Sequence, residues 1–365
     1  MPELAPPALP DLLRFDAGLR LERPQQWAAR RLEVCAHVLP TAYGPLPPTP
    51  AVTRCQVRHV ARVANLGGAQ LLSCWVSPAG ANDFPMRVFL PPGPTSGCPV
   101  LLNGDGCWHY ASDAVIAAML RRGIAFAQFN RVDIADDMPG RSASDSPYAA
   151  LACWAWGYHR AIDALLAADG QIGPLGQIDP QRIAVVGHSR GGKAALLAGA
   201  TDTRIALTSA NNSGAGGAAC WRWGNPGAET LADITGAFPH WFAPGLAAYA
   251  QRVHELPFDQ HFLKALIAPR ALLTTEALGD AWANPQGSAL THRATQPLYA
   301  LLGQPERLAL VNRAGDHSHS PVDWYTLLDF IDIIFFGRPS QIEPEPEPEP
   351  DLDQDHSTKT IVTLP

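Results

Sequence analysis

The stretch RIAVVGHSRGGKAALLAGA, residues 182–200, constrains the fold more than any other part of the chain. RIAVV is a short run of β-branched and apolar residues that suits a strand buried on both faces. KAALLAGA is rich in good helix formers. Between them lies Gly187-His188-Ser189-Arg190-Gly191, so strand must turn abruptly into helix. Glycines permit that reversal because a Cβ would crowd it, and the serine at its tip is held strained and projecting. G-x-S-x-G in this setting is the pattern of a nucleophile elbow. The N–H groups at the helix start then point at any negative charge that develops beside Ser189.

Other segments extend the strand–helix alternation. MRVFLPPG (86–93) and CPVLLNGDG (98–106) read as strands, DAVIAAMLRRG (113–123) as a helix, and IAFAQFN (124–130) as the next strand. SPYAALACWAWGYHRAIDALLAADG (146–170) reads as a long crossing helix before the elbow strand. RIALTSANN (204–212), RALLTTEAL (270–278) and RLALVNRAG (307–315) continue as strands, with an insertion up to about residue 265 and a final helix in 323–337. Such alternation implies βαβ units and a mostly parallel sheet between helical layers, an α/β three-layer sandwich. Residues 1–50 are proline-rich, with a helix expected over 24–39, and suggest an arm packed on a catalytic domain spanning 1–338. EPEPEPEP (343–350) opens an acidic, low-complexity stretch, so 339–365 is expected to be a disordered tail.

Bulk properties narrow the function. Of 365 residues, 47% are hydrophobic and 17% charged, which suits a large, compact enzyme-like fold. A net charge of -7 with no evident basic stripe argues against nucleic acid as partner. The seven cysteines show no C-x-x-C spacing and read as reduced thiols. No cofactor and no metal site is implied, because no His or Asp cluster has ligand spacing. No stretch is long and apolar enough for a membrane span, and a monomer is expected. The N-terminus lacks a signal peptide as written, so the expectation is cytoplasmic; a mis-assigned start would allow a secreted or periplasmic protein.

A serine hydroxyl is a poor nucleophile until a histidine takes its proton and a carboxylate orients that histidine. In the α/β-hydrolase arrangement these follow in the order Ser, Asp or Glu, His. GDHSHS after the last strand offers His317, with His319 as the fallback, whereas His292 falls in a helix and His356 in the tail. The acid is Asp280 or Glu276, both near the end of RALLTTEALGD; the turn position favours Asp280.

Together GHSRGGKAAL, NNSGAGGAACWRW, FPHWF, LPFDQHFLKALIAPRALL and GDHSH resemble the glucuronoyl esterases, carbohydrate esterase family fifteen, from about residue 27 to 338. The resemblance implies a serine esterase acting on (4-O-methyl-)glucuronic acid esters such as those joining xylan to lignin. It implies Ser189 as nucleophile, His317 as base and Arg190 at the oxyanion. Lys193, Glu229 and Trp282 would bind the sugar. Two departures matter. Many fungal members carry the triad glutamate where this chain has Asn212, so the acid must come from elsewhere, which favours Asp280. Their paired cysteines correspond to His188 and Ser320 here, a pattern closer to bacterial members.

Rival readings remain. GAGGAA (214–219) fits a dinucleotide fingerprint only weakly, because NNS separates it from the preceding apolar run and no good helix follows. A catalytically silent carbohydrate-binding relative would leave the Ser, His and Asp set without a use. The serious alternative keeps the esterase mechanism with other small intracellular or acetylated-sugar esters as substrates.

Overall fold

The computed structural model describes residues 7–93, 97–138, 147–167 and 178–339. Nine strands form one sheet: β1 (Thr53–Val63), β2 (Ala69–Pro78), β3 (Phe84–Leu90), β4 (Cys98–Asn103), β5 (Ala125–Phe129), β6 (Ile178–His188), β7 (Ile205–Asn211), β8 (Ala271–Ala277) and β9 (Leu308–Arg313). Their order across the sheet is β1-β2-β3-β5-β4-β6-β7-β8-β9. From β5 to β9 every pairing is parallel, as the buried apolar runs imply, and β4 and β8 are buried at every position. β1, β2 and β3 add an antiparallel end.

Side chains alternate across a strand, so the sheet supports two cores. Val185, Leu102 and Ala127 pack with α3 (Ala150–Leu166), α4 (Arg190–Thr201), α6 (Gln260–Ala265) and α7 (Pro285–Leu301). Val186, Leu101 and Phe126 pack on the other side with α2 (Asp113–Arg121) and α8 (Pro321–Phe336). The mostly parallel three-layer arrangement expected from sequence is therefore present.

The proline-rich arm contains α1 (Trp27–Val38), which packs through Trp27, Val34 and Val38. Trp27 donates to the carbonyl of Ala268, Arg31 to those of Ala200 and Leu266, and the Tyr43 hydroxyl to Gly216. The insertion holds α5 (Leu231–Ala237) and α6. The hairpin β1–β2 had no counterpart in the sequence reading. Its bulge, between Val57 and His59, breaks the period-2 pattern by which a strand is recognised. The expected tail lies outside the described residues except for Pro339.

Candidate active site

Open α/β sheets gather functional groups at the carboxyl ends of their strands, and the expected residues meet there. Ser189 follows β6 with φ 56° and ψ -122°, a backbone conformation costly for any residue with a Cβ. The elbow is over-determined by its surroundings. Ser189 N–H donates to the Asn211 carbonyl at 2.9 Å, and the Lys193 N–H to the Ser189 carbonyl at 3.1 Å. A Cβ on Gly187 would strike the Gly191 backbone, and one on Gly191 would strike the Asp105 carboxylate. Ser189 stands at the N-terminus of α4 without capping it. Its hydroxyl is directed instead to His317.

Ser189 Oγ lies 2.9 Å from His317 Nε2, and His317 Nδ1 lies 2.5 Å from Asp280 Oδ2. His317 comes from the loop after β9, and Asp280 from the turn after β8. Burial works to raise the Asp280 carboxyl pKa; the hydrogen bond and charge of His317, with the Asn212 amide and the Ala283 N–H, outweigh it and hold the pKa below the usual value. Asn212 Nδ2 donates to Asp280 Oδ2 at 2.8 Å, while its Oδ1 accepts from Ala277 N–H at 3.2 Å. Asn212, at the position where the resemblance implied an acid, thus orients Asp280 from the end of a different strand.

The alternatives are placed elsewhere. Glu276 is wholly buried within β8, and burial pushes its carboxyl pKa up. Burial that favours the neutral carboxyl is unsuited to stabilising an imidazolium, and it is Asp280 that bonds His317. His319 is buried with its ring stacked 4.1 Å from Trp324, and burial drives its pKa well down. His292 is buried in α7.

Arg190 is fixed by groups that sequence reasoning missed. Its Nη1 donates to Asp137 Oδ2 at 2.8 Å, and its guanidinium carbon sits 4.9 Å from the Trp241 ring centroid. Trp241 Nε1 donates to the other Asp137 oxygen at 3.0 Å. Arg131 approaches Asp137 Oδ2 at 3.8 Å and pairs with the buried Asp105, which also accepts the His188 N–H at 2.9 Å. An alternating Asp105–Arg131–Asp137–Arg190 chain therefore runs beneath and beside the elbow. Asp105 could have been suspected from its place just after β4; Asp137, in a loop with no pattern, could not.

Lys193, one helical turn beyond Ser189, is buried. Its Nζ donates to the Ser213 carbonyl at 2.7 Å and lies 3.8 Å from Glu229 Oε2. Burial lowers the ammonium pKa to about 8 against the opposing pull of Glu229. Burial also raises the Glu229 pKa, with Lys193 opposing. Glu229 N–H donates to the Trp282 carbonyl at 3.0 Å, and the Trp282 side chain is 54% exposed, a free aromatic face. His188 bonds Asn211 Oδ1 through Nδ1, and its ring lies 4.6 Å from that of His317. Burial lowers its pKa to about 4, so it packs against His317 as a neutral ring. Ser320 caps α8 in a reciprocal box with Asp323. Among the described residues no group of three or more His, Cys, Asp and Glu is placed to hold a metal.

Comparison with known proteins agrees with this arrangement. Residues 77–303 match the family model described as glucuronyl esterase, fungi. The chain is 30% identical over 328 residues to 4-O-methyl-glucuronoyl methylesterase 1 of Wolfiporia cocos (strain MD-104), covering 85% of this chain and 76% of that protein. It is 33% identical over 290 residues to the 4-O-methyl-glucuronoyl methylesterase of Podospora anserina, covering 75% of this chain and 56% of that longer protein. Among solved structures, a carbohydrate esterase family 15 glucuronoyl esterase from Caldicellulosiruptor kristjansonii superposes with a TM-score of 0.77 at 28% identity, covering 93% of this chain and 95% of that one. The sheet order, the strand-end site and these similarities establish that the chain belongs to the glucuronoyl esterase family of carboxylic ester hydrolases, with an α/β-hydrolase fold.

Proposed function

We propose that the protein hydrolyses esters of (4-O-methyl-)glucuronic acid through an acyl-enzyme on Ser189. The observation that carries this reading is the continuous hydrogen-bonded chain from Ser189 through His317 to Asp280, beside a buried Lys193–Glu229 pair and the exposed Trp282. The curated relatives' activity on 4-O-methyl-glucuronoyl methyl esters supports the substrate class.

His317 Nε2 takes the proton as Ser189 Oγ attacks the ester carbonyl, and Asp280 stabilises the resulting imidazolium. The carbonyl oxygen becomes an oxyanion facing the first turn of α4, whose N–H groups lack intrahelical acceptors. Arg190 adds a fixed cation there; such a donor contributes about 3 kcal/mol to the transition state. His317 then returns its proton to the departing alcohol. Water, activated by the same imidazole, releases the uronate and restores Ser189. Lys193 and Glu229 bond the sugar hydroxyls, and Trp282 lies against the pyranose face.

Initial rates on benzyl glucuronate, p-nitrophenyl acetate and acetylated xylan test the reading. A strong preference for the glucuronate ester is expected. Activity confined to the acetyl esters would preserve the mechanism and discard the uronate substrate.

A further inference from the structure

The net negative charge of the chain conceals a basic face. Residues 53–90 contain Arg54, Arg58, His59, Arg62 and Arg87, and the single acid Asp83. All four arginines are exposed. Among the described residues none of their side chains has an ion-pair or hydrogen-bond partner. The strand register brings Arg54, His59 and Arg87 to one face of the sheet, whereas Arg62 pairs with Gln70 and lies on the other.

That register also locates the face. His59 lies beside Ser73, Ser73 beside Arg87, Arg87 beside Gln128, and Gln128 beside Asn103. Cross-strand neighbours share a face of the sheet, so this row crosses from the hairpin to the end of β4, two residues before Asp105. The next row, Gln56–Trp75–Pro85, and then Arg54–Ser77, lie further toward the edge of the sheet that bears Ser189. Trp75 is 40% exposed on this face. From the elbow strand β6, the strands β3 to β1 are three to five strand spacings away, roughly 15–25 Å.

Edge strands commonly carry charges that discourage sheet-to-sheet aggregation. This accounts for Arg58 and Arg62 on β1, but not for Arg87 and an exposed tryptophan on interior strands. Guanidinium groups suit carboxylates because they bind them in a planar fork, and an aromatic ring offers a sugar a flat apolar surface. We infer that the outer face of β1–β3, built by Arg54, Arg87 and Trp75, docks a polysaccharide bearing free uronate carboxylates, the polymer that carries the scissile ester. The inference rests on the uronate-ester reading of the site. A polymer with one esterified uronate presents unesterified ones along its length, and these reach the arginines while the ester occupies the site.

The test compares wild type, Arg54→Glu/Arg87→Glu and Trp75→Ala on benzyl glucuronate and on glucuronoxylan in which only a minority of the uronates are methyl-esterified, the rest being free carboxylates. Expected are rates on benzyl glucuronate within twofold of wild type. On the polymer, kcat/KM should fall at least fivefold through KM, and the wild-type advantage should vanish as salt is raised. Equal loss on both substrates, or no loss on either, would overturn the docking role. Affinity electrophoresis of the intact protein through unesterified glucuronoxylan reads the face independently of turnover, so an inactive wild type would refute the uronate-ester reading without touching this one. Retardation there should be lost in the arginine variant and absent with neutral arabinoxylan. Equal retardation by neutral xylan, or stronger retardation by single-stranded DNA, would reject uronate recognition. Retardation that emerges only after Glu343, Glu345, Glu347 and Glu349 are all changed to Gln would assign the face to the chain's own acidic segment instead.

Discussion

Ser189, His317 and Asp280 come from the ends of three different strands and meet within hydrogen-bond reach. Their meeting was legible because chain order, the elbow pattern and strand-end positions constrain each other. Asn212 and Asp137 were not legible in these roles, since a linear sequence does not say what a loop side chain faces. Each gives a distinct prediction. Asn212→Ala removes the amide that orients Asp280, and kcat should fall about tenfold with KM nearly unchanged. Asp137→Asn keeps the shape but releases the Arg190 guanidinium; kcat should fall by about 10–100-fold, and Asp137→Asn in an Arg190→Ala background should add little. Steady-state kinetics on benzyl glucuronate reads both, and additive losses would show that Asp137 acts other than through Arg190.

Lys193 carries the expected pH dependence. Burial sets its pKa at about 8, so the ammonium is present below that pH and lost above it. If it binds sugar hydroxyls as a cation, KM for the glucuronate ester should rise as pH passes about 8. Lys193→Met should have a high KM at all pH values and no such rise. A pH-independent wild-type KM between 7 and 9 would separate Lys193 from substrate binding.

At the scale of elements, the strands buried on both faces announced themselves as apolar runs, and the helices by composition. β1 and β2 did not: one face is polar, arginines punctuate β1, and the bulge after Val57 shifts its alternation. Asp105 fell within the segment expected as a strand, which ends at Asn103, and the loop after β5 was unassigned; these loops supply Asp105, Arg131 and Asp137. Asp105 and Arg131 form an ion pair that is almost wholly buried, and burial raises the Asp105 pKa against the pull of Arg131. Removing one partner of such a pair strands a charge. Arg131→Met should therefore destabilise the fold by about 3–5 kcal/mol in denaturant unfolding. The double variant Arg131→Met/Asp105→Asn should recover part of that loss; no recovery would mean that Arg131 stabilises through its stacking on Trp154 instead.

Across the whole molecule, one sheet joins a site to a surface. Its parallel half places Ser189, Asp280 and His317 at the ends of β6, β8 and β9, and its antiparallel half turns a basic face toward the same edge. Net charge could not reveal this, because charge summed over a chain contains no information about which residues adjoin. The central claim, that an ester is cleaved through an acyl-enzyme on Ser189, is tested most directly by rapid-quench mass spectrometry with benzyl glucuronate. The account predicts a transient glucuronoyl adduct on the peptide containing Ser189, formed with release of benzyl alcohol and absent in Ser189→Ala, whose turnover should fall by about 10⁴-fold or more. Turnover retained in Ser189→Ala, or an adduct mapped to another residue, would contradict it.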